Sequence, residues 1–81
     1  MTLLEKYLKE KNLSQSQFSR LMKANPASVH AWVHGKGIPR AETAWKIHRA
    51  TKGEIPITYW GYAIINGKFK RLEKGDLEHE K

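Results

Sequence analysis

The sequence predicts a mostly α-helical, compact domain of four to five short helices, and three observations carry that expectation. Apolar residues recur at three- and four-residue spacing in four successive stretches. Each stretch is bracketed by residues that start or stop helices. No cysteine occurs among the 81 residues, so neither a disulfide nor a thiolate zinc site can hold the fold. A chain this short buries roughly 60–65% of its unfolded surface, which leaves close helix packing, a partner subunit, or both to supply stability.

Thr2 can cap a first helix with Leu3, Leu4, Tyr7 and Leu8 on one stripe and Lys6, Lys9 and Glu10 on the other face, ending at Asn12. Ser14-Gln15-Ser16-Gln17 spells a capping box for a second helix, whose buried face is Phe18, Leu21 and Met22. Asn25-Pro26 supplies an N-cap followed by proline at the first helical position, where its missing N–H costs nothing. Proline also drives Asn25 out of the α region, so one helix must stop before it and another start. Only a short turn around Lys23 and Ala24 remains between them. The third helix turns Val29, Trp32 and Val33 inward and stops at Gly35, with Gly37 and Pro39 preventing its resumption. A fourth helix over residues 40–52 buries Ala41, Ala44, Trp45, Ile47 and His48, and Gly53 suits the left-handed position at its end.

Residues 57–72 are rich in β-branched and aromatic side chains and contain Asn66-Gly67, the strongest short-range hairpin signal. A C-terminal β-hairpin there would place Ile64 opposite Phe69 and Tyr62 opposite Arg71; a short helix from near Pro56 is the competing reading. Residues 1–73 are expected to form one domain, and the charged residues 74–81 a flexible tail.

The net charge is +7, and its placement matters more than its size. From Lys11 to Ala41 the charged residues are Lys11, Arg20, Lys23, Lys36 and Arg40, with His30 and His34 among them and no acid. The acids Glu5, Glu10, Glu42, Glu54, Glu73, Asp76, Glu78 and Glu80 all lie outside. A one-signed segment between mixed flanks is the footprint of a phosphate-facing surface, although a plain solvated basic face has the same composition. No apolar run approaches the ~20 residues of a membrane span, and the N-terminus lacks the apolar core of a signal peptide. A cytoplasmic protein is expected.

Two short helices joined by a tight turn, the second opened by a firm N-cap, make a helix-turn-helix, here over residues 13–39. This stretch resembles the helix-turn-helix of phage repressors and Cro proteins and of the wider YdaS-like group of antitoxins and regulators. Leu13-Ser14-Gln15 opens the motif, Phe18, Ser19 and Met22 line its first helix, and Val29 and Trp32 pack its second. Gly35-Lys36 with Pro39 close it, and Ala41-Glu42-Thr43-Ala44 and Ile47 continue the pattern, so about half the chain is covered. The resemblance implies a lambda-repressor-like fold and DNA binding. Two positions depart from the pattern: Lys23 stands where a turn glycine is usual, and Pro26 where a polar base-contacting residue is common.

In a helix-turn-helix the second helix lies in the major groove with its first residues at base edges. With Val29, Trp32 and Val33 inward, the outward set is Ala27, Ser28, His30, Ala31 and His34. Ala27 and Ala31 suit thymine methyl groups, Ser28 several bases, and His30 a purine edge. Gln15 sits at a helix N-terminus, where donors converge on an anion, and the resemblance implies that it joins them as a candidate base contact. Gln17, Lys23, His34, Lys36 and Arg40 are the candidate phosphate contacts. Each has a plainer reading: the alanines as good helix formers, the lysines and arginine as solvated residues. Trp32 reads as core.

The expected partner is double-stranded DNA carrying an inverted-repeat operator, bound by a homodimer that acts as a transcriptional regulator. Tyr59, Trp60, Tyr62, Ile64 and Phe69 are the candidate dimer contacts, and an antitoxin-like protein gripping a different partner through them is the alternative. An enzyme is not expected, because glycine-rich phosphate loops, cysteine nucleophiles and usefully spaced carboxylate pairs are all missing. Single-stranded RNA would need Tyr59, Trp60 and Phe69 displayed on an open sheet. His30 and His34 have the i, i+4 spacing of metal ligands but no neighbouring carboxylate or thiolate to complete a site. No metal, cofactor, small-molecule ligand or membrane contact is expected. His48 reads as a partly buried, hydrogen-bonded histidine.

Overall fold

The computed structural model describes residues 1–72, so the expected tail at 74–81 lies outside the described residues. Four α-helices run in order: α1 (Leu3–Glu10), α2 (Gln15–Met22), α3 (Pro26–Val33) and α4 (Ala41–Ala50). A 3₁₀ turn over Ile57–Trp60 follows, then β1 (Tyr62–Ile65) and β2 (Lys68–Arg71). The two readings of the C-terminal part therefore both hold: a short helical turn follows Pro56, and a hairpin follows that turn.

The caps fall where the sequence puts them. Thr2 accepts the Glu5 amide at 3.1 Å, and Ser14 and Gln17 bond reciprocally at 3.0 and 2.8 Å. Asn25 accepts the Ala27 amide at 2.8 Å, with Pro26 opening α3. All four helices stop in the same way. One left-handed residue (Asn12, Lys23, Gly35 or Lys52) reverses the chain, and the amide after it returns to a carbonyl of the last turn. These returning bonds are Leu13 to Leu8, Ala24 to Ser19, Lys36 to Ala31 and Gly53 to His48. At the end of α4 the first left-handed position belongs to Lys52, one residue before the glycine expected there, and Gly53 follows with φ +82°.

The core joins the four helices: Leu4 and Leu8 from α1, Phe18 and Met22 from α2, Val29, Trp32 and Val33 from α3, and Ala44 and Ile47 from α4. Ile55, Ile57, Trp60 and Tyr62 close it from the C-terminal side. One assignment is corrected. Leu21 is 61% exposed, and the buried position beside Phe18 is Ser19, whose hydroxyl is satisfied by the Ser16 carbonyl at 2.9 Å. Phe18, Ser19 and Met22 lie at i, i+1 and i+4, and Leu21 falls on the far edge of that stripe. The expected stripes also include Leu3, Tyr7, Ala41 and Trp45, which are partly buried against the core. His48 is half-buried and accepts the Ile57 amide on Nδ1 at 3.1 Å.

The hairpin register is Tyr62 with Arg71 and Ile64 with Phe69, as the Asn66-Gly67 turn predicts. Asn66 and Gly67 both have positive φ (53° and 76°), the backbone of a type I′ turn. The face bearing Phe69 leans on α4, with the Phe69 and Trp45 rings 6.4 Å apart.

Candidate nucleic-acid interface

The helix pair is held by bonds that leave the outer face of α3 free. Lys23 takes the left-handed conformation (φ 53°, ψ 42°) at the turn, so the position usually held by glycine is filled by a lysine under mild strain. Lys46 of α4 donates from Nζ to the Met22 carbonyl at 3.1 Å, satisfying an acceptor at the end of α2. At the other end of α3, the Thr2 hydroxyl donates to the Val33 carbonyl at 2.6 Å. A Cβ on Gly35 would stand 3.7 Å from the Thr2 methyl group, and φ of +71° already disfavours one.

With Val29, Trp32 and Val33 buried, α3 presents Ala27, His30 and His34 to solvent, and Ser28 and Ala31 half-buried at the margins. Gln15, at the start of α2, reaches the same surface: its Oε1 lies 3.2 Å from His30 Nδ1. The His34 ring sits 4.3 Å from the His30 ring, one turn further along. Gln17 uses its carbonyl oxygen in the capping box, which leaves its amide NH₂ to face outward.

The expected phosphate contacts divide between the two ends of α3. Lys23 and Arg40 line one hollow together with Asn25, Ser28, Thr43 and Lys46. Lys36 lies beyond the helix C-terminus, beside Ile38, Tyr59 and Trp60. Among the described residues the ion pairs are Lys6–Glu10 and Lys11–Glu54, so Lys23, Lys36 and Arg40 are not neutralised by an acid there. Basic groups at both ends of an acid-free helix suit two phosphate strands flanking a groove.

A family model described as helix-turn-helix matches residues 4–57, from α1 through the start of the 3₁₀ turn. The chain belongs to the helix-turn-helix family. No curated protein and no solved structure matches it. As a helix-turn-helix protein it is a DNA-binding domain of the regulatory kind, in a family that is not one of enzymes.

The hairpin of this helix-turn-helix protein lies beyond the matched residues, and there the expected partner surface is redrawn. Trp60 and Tyr62 are buried, at 5% and 9% exposure, and so are unavailable to a partner. Trp60 packs edge-on to Trp32 at 6.4 Å, and the Tyr62 hydroxyl donates to the Pro39 carbonyl at 2.7 Å. Tyr59, Ile64 and Phe69 stay exposed, and Ile65 joins them at 46%. Ile65 was legible as the residue before the Asn66-Gly67 turn. Lys46 carried no such signal, because its partner is a backbone carbonyl 24 residues away. No helix among the described residues is long and apolar enough to cross a membrane.

Proposed function

We propose that this chain is a sequence-specific, double-stranded-DNA-binding transcriptional regulator of the Cro and repressor kind, of phage or prophage origin, acting in the bacterial cytoplasm. It lays α3 in the major groove and binds an inverted-repeat operator as a homodimer. The observation that carries this reading is the outward row of α3 with Gln15 beside it. Polar and methyl-bearing side chains stand on one acid-free face, while the opposite face is anchored in the core. Gln15, Ala27, Ser28, His30 and Ala31 contact bases; Gln17, Lys23, His34, Lys36 and Arg40 contact phosphates. Tyr59, Ile64, Ile65 and Phe69 supply the dimer contact, since a domain of this size reads a two-fold site as a pair.

Selection from a randomised duplex DNA pool at about 150 mM salt, followed by sequencing, tests the reading. The expected product is an inverted repeat with half-sites ~10 bp apart. Binding without enrichment, fading as salt rises, would leave only a basic surface. An antitoxin-like regulator, with the apolar hairpin holding a different protein, is the second reading. A mass that stays monomeric at high protein concentration and on operator DNA would favour it.

A further inference from the structure

We infer that Gln15 sets the proton position on His30 and thereby selects the base that His30 reads, an inference that rests on the regulator reading above. The Gln15 atom facing the ring is the carbonyl oxygen, 3.2 Å from Nδ1. A carbonyl oxygen only accepts, so this contact is a hydrogen bond when Nδ1 carries the hydrogen. In a neutral imidazole that leaves Nε2 as an acceptor. His30 is exposed, and the His34 ring lies beside it, tilted by 54° at a centroid distance of 4.3 Å, so the Nδ1 edge is occupied by Gln15 and His34 crowds one side of the ring. The remaining edge, with Nε2 as an acceptor, points away from Nδ1.

An acceptor in the major groove finds its donor on an exocyclic amino group, N6 of adenine or N4 of cytosine. Guanine and thymine offer acceptors at the corresponding edge and are disfavoured. The Gln15 NH₂ keeps two donors for a purine N7 or a phosphate beside the same base. The pair thus acts as one reader with a fixed polarity: amide donor on one side, imidazole acceptor on the other. Pro26 adds weight to this position. The first residue of α3 has a hydrocarbon ring and no N–H, so it offers no donor to a base. Gln15 reads through His30 as a positioning residue for that contact.

Two measurements on the whole chain test the inference separately. The first needs no DNA: two-bond nitrogen–proton spectra of ¹⁵N-labelled protein at pH 8 report which ring nitrogen is protonated. His30 is expected in the Nδ1–H form, and Gln15→Ala is expected to move it to the Nε2–H form. An Nε2–H ring in the unaltered protein, or one indifferent to Gln15→Ala, overturns the inference whatever the protein binds. The second is duplex selection with three proteins. The position whose preference His30→Ala erases should be adenine or cytosine for the unaltered protein. Gln15→Ala should reduce that preference roughly tenfold and turn it toward guanine or thymine. A guanine at that position in the unaltered protein overturns the assignment. A pool with no enriched sequence overturns the regulator reading and the base preference with it, while the spectra still report on the proton.

Discussion

The Thr2 hydroxyl sits between two helices: it accepts the Glu5 amide at 3.1 Å and donates to the Val33 carbonyl at 2.6 Å. One oxygen therefore starts α1 and holds the last turn of α3, using both its acceptor and its donor capacity. The end of α3 is thereby tied to the start of α1.

Thr2→Val keeps the shape and removes both bonds. It should destabilise the domain by about 1–2 kcal/mol, the range of a lost N-cap together with a hydrogen bond. Thr2→Ser should restore most of this. Urea unfolding followed by circular dichroism gives both numbers. A Val variant as stable as the original would show that the Val33 contact contributes nothing.

Lys23→Gly should have opposite effects on stability and binding. Relief of the left-handed strain should raise stability by about 0.5–1 kcal/mol, or a Tm gain of roughly 2–8 °C for a domain of this size. If Lys23 touches a phosphate, the same change should weaken DNA binding and lower the salt slope by roughly one unit. Calorimetry and a salt titration separate the two effects.

Lys36→Ala and Ser28→Ala should differ in kind. Loss of the lysine should weaken every sequence alike and reduce the salt slope by roughly one unit. Loss of the serine hydroxyl should relax preference at one position of the half-site by about 1–3 kcal/mol and leave the slope unchanged. Fluorescence anisotropy with matched and mismatched duplexes decides; identical behaviour would show that specificity and anchoring are not divided between these residues.

Tyr62→Phe removes the donor to the buried Pro39 carbonyl. It should cost about 1–3 kcal/mol, the penalty for leaving such an acceptor unpaired. Leu21→Ala, on an exposed side chain, should change stability by less than about 0.5 kcal/mol. Phe18→Ala on the same helix should cost about 3–5 kcal/mol. Thermal unfolding of the three variants checks the corrected face of α2.

What was legible in the sequence was local. Caps at Thr2, Ser14 and Asn25, the stop at Gly35 and the register of the hairpin each follow from a few adjacent residues with strong backbone preferences. The misplaced residues depended on distant partners. Leu21 reads as core by hydropathy, but the helix phase set by Phe18 and Met22 gives the inner position to Ser19, a serine that satisfies its own hydroxyl. Trp60 and Tyr62 read as partner surface because nothing near them in sequence announces Trp32 or the Pro39 carbonyl. The outward row of α3 was legible because Pro26 fixes where the helix starts and Val29, Trp32 and Val33 fix its phase. The approach of Gln15 to His30 was not, since it depends on the angle between two helices.

The four left-handed reversals at Asn12, Lys23, Gly35 and Lys52 have a kinetic consequence. Each turn closes on residues five positions apart, so successive helices can meet without bringing together distant parts of the chain. Small helical domains with such low contact order fold in microseconds to milliseconds. The slower event is the return of Tyr62 to Pro39, which must close a loop of 23 residues before the hairpin seals the helices beneath it.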